Sequence, residues 1–193
     1  MTTKHECRAG KPAEVNEESG LIKVSGYAAV FNEETNIGGY FREIIEPGAF
    51  TEAITRDDVV FLINHEGLPL ARTSSHTLTL SEDEHGLKID TELDPDDPDV
   101  RRILPKMKRG DLNKMSFAFL PDVQEWDESE DIPLRTIRQA SLFDVSIVTT
   151  PQYDGTDIGL RAYQQFIEQK PLDHSPLRQR MKRRLAKSLS FSV

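Results

Sequence analysis

Cysteine is almost missing from this 193-residue chain. Cys7 is the single example, so no disulfide can close within the chain, and a reducing compartment fits. No apolar run approaches the roughly 20 residues of a membrane span, and the N-terminus shows no signal-peptide pattern. Internal repeats and low-complexity tracts are absent as well. Histidines 65, 76 and 85, with Glu66 and Asp83, match no compact zinc spacing. The acidic stretch Asp94-Pro95-Asp96-Asp97-Pro98-Asp99 lacks the glycine and the distal glutamate of a calcium loop. No metal and no cofactor are therefore expected.

Acidic residues are abundant: 33 Asp and Glu against 24 Lys and Arg, a net charge of −9. The balance is uneven. From His174 onward there are Arg178, Arg180, Lys182, Arg183, Arg184 and Lys187 and no carboxylate, which leaves 18 basic against 33 acidic residues, a net −15, in the rest. An acidic body argues against nucleic acid as a partner. In the tail, Leu177, Met181, Leu185 and Leu189 recur every fourth residue among the cations, the pattern of a basic amphipathic helix.

Residues 1–20 are polar and aperiodic and read as a flexible lead-in. Strand patterns follow at Leu21 to Phe31 (interrupted by Gly26), Tyr40 to Ile45, Val59 to Ile63, Thr77 to Leu80, Leu87 to Leu93, Lys114 to Leu120, Leu134 to Ala140 and Leu142 to Thr149. Glu66-Gly67 reads as the turn after Val59 to Ile63. Ala49 to Arg56 allows one or two helical turns. A longer helix fits between an Asp97 cap, Pro98 at its first position and a Gly110 stop, although Pro105 should kink or shorten it. Leu160, Tyr163, Phe166 and Ile167 suggest a short helix, and Trp126, beside the acidic loop Asp127 to Asp131, a partly buried anchor. Many short strands with two or three helices make an α+β fold, mainly β: a barrel, or a bent sheet wrapped by helices.

Alternation along a strand gives Met115, Phe117 and Phe119 one face and Ser116 and Ala118 the other. It likewise gives Phe143, Val145 and Ile147 one face and Asp144 and Ser146 the other. If the two strands are neighbours, a serine and a carboxylate share a face that points away from the apolar side, on the outer wall, and His65 at a strand end can reach across. A hydroxyl becomes a nucleophile when a base takes its proton and an acid orients the base. The plainer reading is a solvent-facing serine and a turn histidine. The pattern alone leaves both open.

Four stretches resemble the prohead (capsid maturation) proteases of tailed bacteriophages, over about Gly26 to Arg161. They are Gly26-Tyr27-Ala28-Ala29-Val30-Phe31 with Ile45-Glu46-Pro47-Gly48-Ala49-Phe50; Asn64-His65-Glu66 with Pro69-Leu70-Ala71-Arg72; Gly110 through Met115-Ser116-Phe117-Ala118-Phe119; and Leu142-Phe143-Asp144-Val145-Ser146-Ile147-Val148-Thr149 with Pro151. That family is similar in fold to the herpesvirus assembly (assemblin-like) proteases. The resemblance implies a herpesvirus-protease-like β-barrel flanked by a few helices, with Ser116 as nucleophile, His65 as base and, less firmly, Asp144 as third member. Many relatives carry Glu at that third position. Asp is a methylene shorter, so His65 must sit closer or be oriented through water. Donors of an oxyanion hole are not legible; Arg138 reads either as a group orienting such a loop or as a surface arginine.

The implied function is a serine endopeptidase that cleaves scaffold, or the scaffold-like segment of the major capsid protein, and itself, during prohead maturation. It would work in the host bacterial cytoplasm, inside the assembling procapsid. The competing class is a non-catalytic capsid assembly or scaffold component that keeps the protease fold. The organisation expected is a lead-in over 1–20, a peptidase β-barrel domain over 21–170 and a basic tail over 171–193. That tail either docks on capsid or scaffold protein or stays solvated. No membrane partner is expected. The herpesvirus proteases act as dimers, so a homo-oligomer is compatible, though nothing in this chain marks an interface.

Overall fold

A computed structural model describes residues 6–11, 13–18, 21–150, 163–167 and 183. In chain order the elements are β1 (Glu6–Ala9), β2 (Glu14–Glu18), β3 (Leu21–Val30), β4 (Thr35–Ile37), β5 (Phe41–Ile45), α1 (Thr51–Arg56), β6 (Val60–Ile63), β7 (Glu66–Arg72), β8 (Leu78–Glu82), β9 (Gly86–Leu93), α2 (Pro98–Arg109), β10 (Lys114–Asp127) and β11 (Leu134–Val148). The basic tail expected over 171–193 lies, apart from Arg183, outside the described residues, as does Leu160 of the short helix; 163–167 are helical. Among the described residues no helix is long and apolar enough to cross a membrane.

Pairing divides the strands into two sheets: a seven-stranded one, in the order β1-β10-β11-β5-β4 with β6 and β7 attached beside β11, and a four-stranded one, β2-β3-β9-β8. The fold is mainly β with few helices. The closed barrel expected from the resemblance is not formed by backbone pairing among the described residues, because neither ladder returns to its first strand. Buried side chains instead join β1 to β5 and β11, strands that it does not pair with. Arg8 of β1 donates to Glu43 of β5 at 2.6 Å and to Glu6 at 2.7 Å, and Arg135 of β11 donates to Glu6 at 2.8 and 2.9 Å and to Glu43 at 3.0 Å. All four groups are buried.

Within the stretch 1–20, expected as a flexible lead-in, the described residues include two strands. Glu6–Ala9 is a strand of the main sheet and Glu14–Glu18 one of the second. The segment looks solvated because its residues are polar, but each buried charge has an opposite charge far along the chain. Gly10 lets the chain pass between sheets: a Cβ there would meet the Tyr27 carbonyl oxygen at 2.1 Å.

β10 and β11 outrun the patterns that announce them. β10 continues through Pro121 to Asp127, and the two strands expected at Leu134 to Ala140 and Leu142 to Thr149 are one. Irregularities in register between Ala118 and Phe119, and between Pro121 and Val123, absorb the proline and bend the ribbon without ending it. The acidic loop is the tip of this hairpin. α2 is capped by Asp97, whose side chain accepts from the Asp99 and Val100 amides, and stops at Gly110 with φ 80°. It runs through Pro105, which faces solvent, so the lost amide leaves its carbonyl partner to water. Phe50 meets Phe117 edge-on in the main core. A smaller cluster places Trp126 against Phe166, with ring centroids 4.2 Å apart.

Candidate active site

The site grows from three neighbouring strands. Ser116 of β10 lies opposite Ser146 of β11, and Ala118 opposite Asp144. Opposed residues share a face, so the serine and the carboxylate point the same way. On the other edge of β11, β6 runs parallel, with Val60 beside Asp144 and Leu62 beside Ser146. The start of β6 therefore lies beside the carboxylate and its end, Ile63, beside Ile147.

The turn after β6 differs from expectation. Ile63 pairs with Glu66, so Asn64 and His65 themselves are the two loop residues, at φ 53° and 60°. Two consecutive residues in the left-handed region match the right-handed twist of a tight hairpin. A histidine in that conformation is held there by its surroundings. The Asn64 amide donates to the Ile147 carbonyl, the Asn64 side-chain oxygen accepts from the Thr149 amide at 3.0 Å, and the His65 amide donates to Ser146 Oγ at 3.2 Å.

Held so, the imidazole spans the two groups. His65 Nδ1 lies 2.6 Å from Asp144 Oδ1, and His65 Nε2 lies 2.8 Å from Ser116 Oγ. The structure thus brings His65, Ser116 and Asp144 together, and the shorter aspartate reaches the ring directly, without water. The face they share is not an outer wall. Ser116 is wholly buried and Asp144 is 8 % exposed. Strand β1 lies beside β10 there, with Ala9 opposite Ser116 and Cys7 opposite Ala118. Arg138 sits on the surface, paired with Glu46 at 3.3 Å and Glu125 at 2.9 Å. His76 and His85 occupy other turns.

Two side chains at the site escape the sequence reading. Ser146 contacts both His65 and Asp144; alternation put it on Asp144's face but gave it no task. Cys7 had no signal, because its strand is aperiodic.

Electrostatics sets the resting state. Burial works against a charged imidazole, but the Asp144 carboxylate hydrogen-bonded to the ring, together with the Cys7 sulfur beside it, outweighs burial and raises His65 to about 10. At neutral pH the ring is then mostly imidazolium, and Nε2 donates to Ser116 rather than accepting from it. General-base work needs the neutral ring, so the rate of serine phosphonylation by a fluorophosphonate should climb as pH rises from 6.5 towards about 10. Cys7→Ala removes one of the influences that hold the proton. Its rising limb should move to lower pH, with faster labelling at neutrality; an unmoved limb would rule Cys7 out as an influence on the base. The same raised value links to stability: the contribution is complete below 6.5 and is lost as pH rises through about 10.

A family model described as the caudovirus prohead serine protease matches residues 11–170. No curated protein matches the chain. Among solved structures, the capsid assembly protease of bacteriophage T4 aligns with a TM-score of 0.49 at 10 % identity, covering 77 % of this chain and 98 % of that one.

Proposed function

We propose that this chain, which belongs to the caudovirus prohead serine protease family, is an active serine endopeptidase whose machinery is Ser116, His65 and Asp144. The observation that carries the reading is the continuous relay from Ser116 Oγ through both ring nitrogens of His65 to Asp144 Oδ1. Neutral His65 takes the Ser116 proton on Nε2 as Oγ attacks the scissile carbonyl carbon. The tetrahedral intermediate collapses when Nε2–H protonates the leaving amine, giving an acyl-enzyme and a new N-terminus. Water, deprotonated by the same nitrogen, then releases the carboxylate product and restores the hydroxyl. Asp144 Oδ1 accepts from Nδ1–H throughout and keeps the other ring proton there.

The substrates on this reading are scaffold, or a scaffold-like segment of the major capsid protein, and the enzyme itself, inside the assembling procapsid in the host cytoplasm. The peptidase unit takes in β1 as well as residues 21–170, since β1 walls the nucleophile. The basic residues from Arg178 to Lys187 would dock on capsid or scaffold protein. The fold would then be an open variant of the herpesvirus-protease barrel, with buried charges joining β1 to β5 and β11. Nothing in the geometry favours a non-catalytic assembly component, which has no need of an intact relay.

Co-expression with the cognate capsid and scaffold proteins, followed by mass spectrometry, tests the assignment. Truncated capsid or scaffold polypeptides with new N-termini are expected, and intact precursors when Ser116→Ala is supplied instead. Equal processing by that variant would overturn it.

A further inference from the structure

Ser146 is buried completely, one pairing step from the nucleophile, and no step of the hydrolysis needs it to react. Its hydroxyl nevertheless meets three groups of the site. It donates to Asp144 Oδ1 at 2.7 Å, accepts the His65 backbone N–H at 3.2 Å, and lies 3.2 Å from His65 Nδ1. A hydroxyl has one proton and two lone pairs, and here the proton goes to the carboxylate. One lone pair takes the backbone amide. The other faces the ring nitrogen.

We infer that Ser146 is a positioning residue for the base, acting on His65 in two ways. The first is tautomeric. With its proton committed to Asp144, Ser146 offers Nδ1 only an acceptor, as does Asp144 Oδ1. Nδ1 therefore faces two acceptors and must carry the ring proton, which leaves Nε2 of the neutral ring free to accept from Ser116. The second is geometric. Oδ1 is fixed by two donors, Nδ1–H and the Ser146 hydroxyl, and the left-handed turn at His65 is tied down by its own amide. One side chain thus anchors the backbone of the base, its ring and its carboxylate partner. An alanine would serve the packing and none of these.

The inference rests on the proposed role of Ser116 and His65, and its test separates the two. Phosphonylation of Ser116 by a fluorophosphonate needs no natural substrate and divides into a binding constant and a maximal labelling rate. Because a displaced catalytic group costs up to about 100-fold, Ser146→Ala should lower the maximal rate by roughly 10- to 100-fold and leave the binding constant within about threefold. Ser146→Cys fills nearly the same volume but bonds weakly, so it keeps the fold should alanine lose it, and should label about 10-fold slower. Ser146→Thr restores the hydroxyl and most of the rate. Nitrogen-15 shifts of His65, read above its raised pKa, should show the Nδ1–H form in every variant, because Asp144 Oδ1 still accepts there, with the ring resonances broadened by motion in the alanine and cysteine variants only. If Ser146→Ala or Ser146→Cys labels at the wild-type rate with a ring as ordered as in the wild type, the positioning role is wrong. If Ser116→Ala still labels, the nucleophile assignment fails first, whatever the Ser146 variants do.

Discussion

Alanine at Ser116 should abolish fluorophosphonate labelling and lower peptide-bond cleavage by on the order of a million-fold. The size follows from what is removed. Without Oγ there is no acyl-enzyme, and the remaining path is direct attack by water, helped only by binding and by whatever polarises the carbonyl. His65→Ala should lose about as much, because a serine at neutral pH holds its proton unless a base is within reach, and Nε2 at 2.8 Å is the base in reach. The double variant should be no worse than either single one, since the two groups act as a unit. Additive losses would show that they work independently. Single-turnover cleavage of purified capsid precursor, followed by electrophoresis, reads all three. A Ser116→Ala protein that cleaves within tenfold of wild type would remove the mechanism outright.

Arg135→Ala should cost about 3–5 kcal/mol of folding stability. Arg135 is 1 % exposed and donates to Glu6, Glu43 and the Gln124 side chain. Its loss leaves two buried carboxylates facing one cation, Arg8. In the intact protein, burial pushes the Glu6 carboxyl up, but Arg135 and Arg8 together outweigh burial and hold it below its ordinary 4.5. A depressed carboxyl stabilises the fold above 4.5 and ceases to do so only as pH falls through the lowered value. Without Arg135 burial gains ground, so acid unfolding of the variant should begin at higher pH than in the wild type. Urea titration should show a lower midpoint with an unchanged slope. Labelling of Ser116 should fall as well, because Glu6 and Arg8 anchor the strand that carries Cys7 and Ala9 past the nucleophile. A midpoint within about 0.5 kcal/mol of wild type, the range of an ordinary surface change, would mean that β1 is held by its backbone pairing instead.

Much of the site was legible because strand periodicity is a strong local signal. Alternation alone oriented Ser116 with Ala118 and Asp144 with Ser146, and the registers agree. The fate of that face was not legible, because it depends on which strand lies alongside. The strand is Glu6–Ala9, and its polarity makes sense only beside Glu43, 35 residues from Arg8, and Arg135, 129 residues from Glu6. Separations of that kind leave no periodic trace. The turn at His65 lies two positions earlier than expected because Glu66-Gly67 is the stronger turn dipeptide. Hydrogen bonds from distant Ile147, Thr149 and Ser146 favour Asn64–His65 instead. The length of β10 was hidden by Pro121, which ends most strands and here falls at a register irregularity.

The two-residue link between Ile63 and Glu66 ties loop length to acid–base chemistry. Adding or deleting one amino acid there would send alternate side chains of β7 to the opposite face and swing the imidazole off the Ser116–Asp144 line, with every reacting group still in the polypeptide. Insertions, which most surface hairpins absorb at little cost, are therefore as damaging at this one as replacement of the histidine itself.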